Sequence, residues 1–140
     1  MVSRIAKVKS KAVKTACKAL PYGAVLKCAD NTGAQLLRVI AVAGFKGKRR
    51  RYPACGVGDF IWCSVIKGAP DIRKTVVQAI VIRQRKEYSR PDGSRVKFED
   101  NAAIVVTIDG DLKGTEIKGA VAKEAINKWP SIASAVSIVV

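Results

Sequence analysis

The densest chemistry in the sequence is Lys46-Gly47-Lys48-Arg49-Arg50-Arg51-Tyr52-Pro53, with five cations in six residues followed by an aromatic ring. A guanidinium fork pairs bidentately with phosphate, and a tyrosine face can stack on a base or on another guanidinium. Adjacent like charges repel one another unless an anion sits among them, so Lys46, Lys48, Arg49, Arg50, Arg51 and Tyr52 are candidate contacts to a polyanion. Gly44-Phe45-Lys46-Gly47-Lys48 looks superficially like a phosphate-binding P-loop. Its spacer is too short and no Ser or Thr follows the lysine, which excludes a nucleoside triphosphate site.

A second basic element runs from Arg83 to Phe98. Arg83, Arg85, Lys86, Arg90, Arg95 and Lys97 outnumber Glu87 and Asp92, and Tyr88 and Phe98 are spaced through it. Asp92-Gly93 is a hairpin signal, so the flanks are expected to pair as a two-stranded ribbon. A net positive ribbon can bridge helices of folded RNA through phosphates and 2′-hydroxyls; the plainer reading is an exposed, solubilising hairpin. The first twenty residues supply a third element. Arg4, Lys7, Lys9, Lys11, Lys14 and Lys18 stand there without one acidic residue, as a solvated tail or as an arm that orders against phosphates. Lys7, Lys9, Lys11 and Lys14 are its candidate contacts.

The composition agrees. The 140 residues include 26 Lys and Arg against 11 Asp and Glu, a formal charge of +15, and no histidine. Without histidine there is no His-based triad, no Cys-His nucleophile pair and no mixed His metal site. Asp30, Asp59, Asp92, Asp109 and Asp111 sit mostly beside glycines, where a turn role explains them more simply than acid-base chemistry. The four cysteines, at 17, 28, 55 and 63, contain no Cys-x-x-Cys pair, so they read as reduced thiols and not as zinc ligands. The chain is therefore expected to be no enzyme, with no catalytic residue, no metal and no cofactor. Apolar stretches fall short of a bilayer span and the basic N-terminus lacks a following apolar segment, so the expectation is a cytoplasmic protein without a membrane partner.

These candidates need a scaffold, and 49% apolar and aromatic residues can build one. Short apolar runs separated by turn residues predict strands at Ala24 to Ala29, Gln35 to Ala43, Asp59 to Lys67, Thr75 to Ile82 and Ala102 to Ile108. Some, notably Ala79 to Ile82, are apolar on both sides of the pleat, so both faces must be covered. The predicted class is mainly β, a small closed five-stranded antiparallel barrel with a projecting ribbon and short C-terminal helices. Val121, Ala122, Ala125, Ile126 and Trp129 form one apolar stripe of a helix expected between Gly119 and Trp129, which Pro130 ends. The uncharged tail from Ile132 to Val140 is expected to pack on the barrel or join a partner. Residues 1–20 form the arm and 21–140 one domain, with its helical section from about 115.

Four ordered segments resemble one family. They are Cys28-Ala29-Asp30-Asn31-Thr32-Gly33-Ala34, the Arg49-Arg50-Arg51-Tyr52 run followed by Gly58-Asp59, Ala79-Ile80-Val81-Ile82 through Asp92-Gly93 to Asp100-Asn101-Ala102-Ala103, and Asp111-Leu112-Lys113-Gly114-Thr115. Together, over about residues 21 to 140, they are similar to the universal large-subunit ribosomal protein number fourteen. The resemblance implies a five-stranded barrel that binds large-subunit rRNA and lies beside other ribosomal proteins. It further implies a contribution to an intersubunit bridge with small-subunit rRNA, on a face approached by factors that keep the subunits apart. The arm is longer than in bacterial members and resembles the archaeal and eukaryotic form. The alternative is a free single-strand nucleic-acid-binding barrel acting as an RNA chaperone, which would need a row of exposed aromatics.

Overall fold

In the computed structural model, which describes residues 17–140, the apolar runs form strands because their β-branched side chains fit a pleated, covered surface. In chain order the elements are β1 (Leu20–Pro21), β2 (Val25–Cys28), β3 (Ala34–Val42), β4 (Ala54–Cys55), β5 (Phe60–Gly68), β6 (Val76–Arg83), β7 (Tyr88–Ser89), β8 (Arg95–Val96), β9 (Ala102–Val106), β10 (Ala120–Val121), α1 (Lys123–Lys128), a 3-10 turn (Pro130–Ala135) and β11 (Ile138–Val139). Strands β2, β3, β5, β6 and β9 close into a barrel in that order. The five sequence-predicted strands match these within a residue or two at most ends.

One detail is corrected. Four of the five pairings are antiparallel, but β2 and β9 close the barrel in parallel, with Lys27 opposite Ala102 and Cys28 opposite Ala103. The reason is parity: five strands on a ring cannot alternate direction all the way round, so at least one neighbouring pair must run the same way.

Alternation along the strands sorts the core into two parts. Leu26, Leu37, Val39, Ile61, Cys63, Val65, Val77, Ala79, Val81, Ala103 and Val105 fill the barrel. Ile80, Ile82, Ile104 and Val106 point outward, and Ile117, Val121, Ala122, Ala125, Trp129 and Ile132 of the C-terminal section cover them. The two-sided apolar strands thus find their second cover in their own chain.

That section differs in backbone from the expected helix. Gly119 has φ +83° and cannot begin a helical turn. Ala120 and Val121 instead pair in parallel with Ile138 and Val139, and only Lys123–Lys128 is helical. The expected stripe still largely faces the barrel, because Val121, Ala122, Ala125 and Trp129 are buried. The tail divides: Ile132 packs, whereas Ile138, Val139 and Val140 are exposed. The ribbon is shorter than expected, with two residue pairs, Tyr88 with Val96 and Ser89 with Arg95.

Candidate nucleic-acid interface

Strand direction decides where the basic elements emerge. Val42 pairs with Ile61, so the connection 43–59 leaves from the rim at which β3 ends and β5 begins. Phe60 pairs with Ile80, and β6 runs on to Arg83, which pairs with Ala102, so 84–101 leaves from the same rim. Val25 pairs with Arg38, which brings the chain into β2 there as well. Hydrogen bonds join the three roots: Leu20 and Pro21 pair with Cys55 and Ala54, the Tyr22 amide donates to the Pro53 carbonyl (3.0 Å), and the Val57 amide donates to Gln84 Oε1 (3.3 Å). Gln84 is wholly buried and its amide nitrogen donates to the Lys86 carbonyl, so the ribbon root is fixed to the loop base.

On this rim Lys46, Lys48, Arg49, Arg50 and Arg51 are all exposed, and none has an acidic partner among the described residues. A tight turn, closed by the Arg51 amide on the Lys48 carbonyl (3.0 Å), holds them. It forces Arg50 to φ +67°, a left-handed conformation that is strained for a residue with a Cβ. Tyr52 follows, 80% exposed. From the ribbon, Arg85, Lys86 and Lys97 are exposed without an ion pair among the described residues, and Arg95 makes only a surface pair with Glu87 at 3.2 Å. Lys7, Lys9, Lys11 and Lys14 lie outside the described residues.

Two candidates serve the protein's own structure. Arg83 bonds Asp100 (Nε to Oδ1, 3.0 Å) and donates to the Lys118 and Ala120 carbonyls, which ties β6 to the C-terminal section. Arg90 bonds Glu124 (Nε to Oε1, 2.7 Å) and donates to the Val140 carbonyl. Tyr88 hydroxyl donates to the same glutamate at 2.8 Å, so the hairpin is pinned to α1. Burial would raise the Glu124 carboxyl, but the bonds from Arg90 and Tyr88 hold it below the usual glutamate range. Burial, and then Glu124 as hydrogen-bond acceptor, push Tyr88 up to about 12. Arg83 and Arg90 were not separable in sequence from their neighbours. Their signal was the position of Asp100 and Glu124, two of the few acids away from a turn glycine.

The acidic residues next to turns are also structural. Asp30 is buried; Oδ1 accepts from the Thr32 amide and hydroxyl and from the Cys28 thiol, while Oδ2 accepts from the Val105 amide at 2.6 Å. It therefore both makes a turn and fastens β9. Asp59 accepts from the Gly56 amide and from Lys128 Nζ (3.1 Å). Burial pushes the Cys28, Cys55 and Cys63 thiols up to about 12, which leaves them protonated and unreactive as nucleophiles. Among the described residues no group of three or more Cys, Asp or Glu side chains could hold a metal ion, and no helix is long and apolar enough to cross a membrane.

Exposed aromatics do not form a row. Phe60, Tyr88, Phe98 and Trp129 are buried and Phe45 and Trp62 half-buried, while Tyr22 and Tyr52 are exposed. The stacking platform of a free single-strand binder is therefore missing from the described residues.

Fold and rim together define a class: a small basic β-barrel protein whose two most strongly basic connections leave from one end. The model of the family Ribosomal protein L14p/L23e matches residues 19–140. The chain is 55% identical over 123 residues to the large ribosomal subunit protein uL14 of Thermoplasma acidophilum, covering 88% of this chain and 93% of that one. It is 56% identical over 125 residues to the protein of the same name from Methanococcus maripaludis, covering 89% and 95%. The chain belongs to this ribosomal protein family, whose members are structural proteins and not enzymes.

Proposed function

We propose that the chain is a structural protein of the large ribosomal subunit, working in the cytoplasm, and that it holds large-subunit rRNA on the cationic rim. The observation that carries this reading is the convergence of Lys46, Lys48, Arg49, Arg50, Arg51, Arg85, Lys86 and Lys97 on one end of a closed barrel, exposed and without acidic partners among the described residues. The mechanism is electrostatic and geometric. The lysine and arginine cations displace counterions from the RNA phosphates they meet, and the rigid barrel keeps the cations in register. Tyr52 adds a stacking face beside the arginines. Lys7, Lys9, Lys11 and Lys14 of the arm, residues 1–20, are further candidate contacts to the RNA, and residues 21–140 form the single domain that carries the rim. The resemblance to the family supports three finer assignments: neighbouring large-subunit proteins, small-subunit rRNA at an intersubunit bridge, and a subunit anti-association factor.

Sedimentation of cell extract through a gradient tests the reading. Near-stoichiometric association with large subunits is expected. Recovery of most of the protein at the top of the gradient would contradict it and favour a free RNA binder.

A further inference from the structure

The barrel is covered by its own chain on one side only. Outward residues at the start of β5, at the C-terminal half of β6 and on β9 lie under the C-terminal section, but the same alternation on β2, β3, the later part of β5 and the start of β6 leads to open surface. Pairing aligns one row across these four strands: Val25 opposite Arg38, Arg38 opposite Ser64, Ser64 opposite Val76. Val25 is 46% exposed and Val76 61%. Two irregularities in the β3–β5 ladder leave Ile40 and Ile66 without a partner opposite, and each is 38% exposed beside the row. Bulges of this kind re-aim side chains. The result is an apolar patch with a guanidinium at its centre.

Arg38 has no acidic partner among the described residues, and β2, β3, β5 and β6 contain no Asp or Glu at all. The sheet itself therefore offers nothing to neutralise it. From these observations we infer that the open face of β2, β3, β5 and β6 seats a neighbouring protein, an apolar surface that sets a carboxylate against Arg38. This rests on the ribosomal reading above and names a second, separate surface within it. RNA suits the face poorly. A phosphate on Arg38 would leave the surrounding valines and isoleucines wet, and none of the four strands carries an exposed aromatic to take a base. An apolar surface from a protein buries those side chains and supplies the missing acid in one contact.

Photo-cross-linking in assembled large subunits tests this. One variant carries p-benzoylphenylalanine in place of Val76 and a second carries it in place of Tyr52. Both positions are exposed, and only variants that sediment with large subunits are irradiated. The expected adduct at 76 withstands ribonuclease, gains the mass of a protein, and maps to an apolar peptide that includes Asp or Glu. Arg38→Glu is expected to lower its yield about five-fold. A nuclease-sensitive adduct at 76, an adduct to a second copy of this chain, or no adduct would each overturn the inference. The adduct at 52 reports separately on the rim: nuclease sensitivity supports the rRNA reading, and its absence counts against that reading alone.

Discussion

Glu124 is the carboxylate on which two elements meet. It accepts from Tyr88 and from Arg90, and this joins the basic hairpin to α1. Its pKa is held below the ordinary value in the folded state, so the stabilisation it gives is fully present above the unfolded glutamate pKa of about 4.3 and is lost as pH falls through the lower folded value. Glu124→Gln leaves Arg90 half-buried without its charge partner and is expected to cost about 2 kcal/mol at neutral pH. Thermal melts from pH 7 to pH 3 check this. The gap between wild type and variant should close as the carboxyl protonates at a pH below the ordinary glutamate range; a gap that persists unchanged would show that the loss is one of packing. The same residue marks a limit of sequence reading. Arg90 and Arg85 belong to the same basic run, and only tertiary placement makes one a structural tie and leaves the other free.

At the scale of elements, the barrel strands were legible as short apolar runs bounded by turn residues, most plainly in β6 and β9, where burial on both faces leaves a nearly unbroken apolar signature. The C-terminal section was half legible. Its stripe identified which side chains are buried, since Val121 and Ala122 fit either a helix or a strand laid on the barrel. The choice is set by Gly119, whose backbone lies so close to Arg83 that a Cβ there would stand 2.6 Å from the guanidinium. The hairpin was over-read for a related reason: Tyr88 and Phe98 are core residues, and alternation cannot tell a ring that stacks on RNA from one that packs inward. A second glycine fixes how this section docks. Gly110, at φ +93°, lies against the ring of Trp129, and a Cβ would stand 2.7 Å from it. Trp129 is in turn held by its indole N–H on the Gly58 carbonyl at 2.8 Å. Gly110→Ala must therefore strain the backbone and displace the ring, at a cost of about 2 to 4 kcal/mol. The denaturant midpoint should fall with an unchanged slope; an unshifted midpoint would mean that the ring does not clamp the turn.

For the whole molecule, the decisive property is polarity between the two ends of the barrel. One rim gathers the arginine loop, the ribbon and the entry of the chain into β2. The other carries the turn at 29–33, the connection 69–75 and the turn after β9, where Asn31 and Thr115 bond reciprocally (2.7 and 3.0 Å). Two segments that carry the family resemblance thus prove to fasten each other. Sequence showed the charge but not this sidedness, because which connection leaves from which end depends on strand pairing. The most direct test compares the salt dependence of rRNA binding for three proteins of matched fold. Wild type, with about eight phosphate contacts, should give a log-log slope of roughly −6 to −7. Replacing Arg49, Arg50 and Arg51 with Ala should make that slope shallower by about 2 to 3 units. Replacing Lys67, Arg73 and Lys113, three exposed cations towards the other end, removes the same charge and should change it by less than about one unit. Equal changes in the two variants, or a larger change in the second, would contradict the assignment of RNA to the cationic rim.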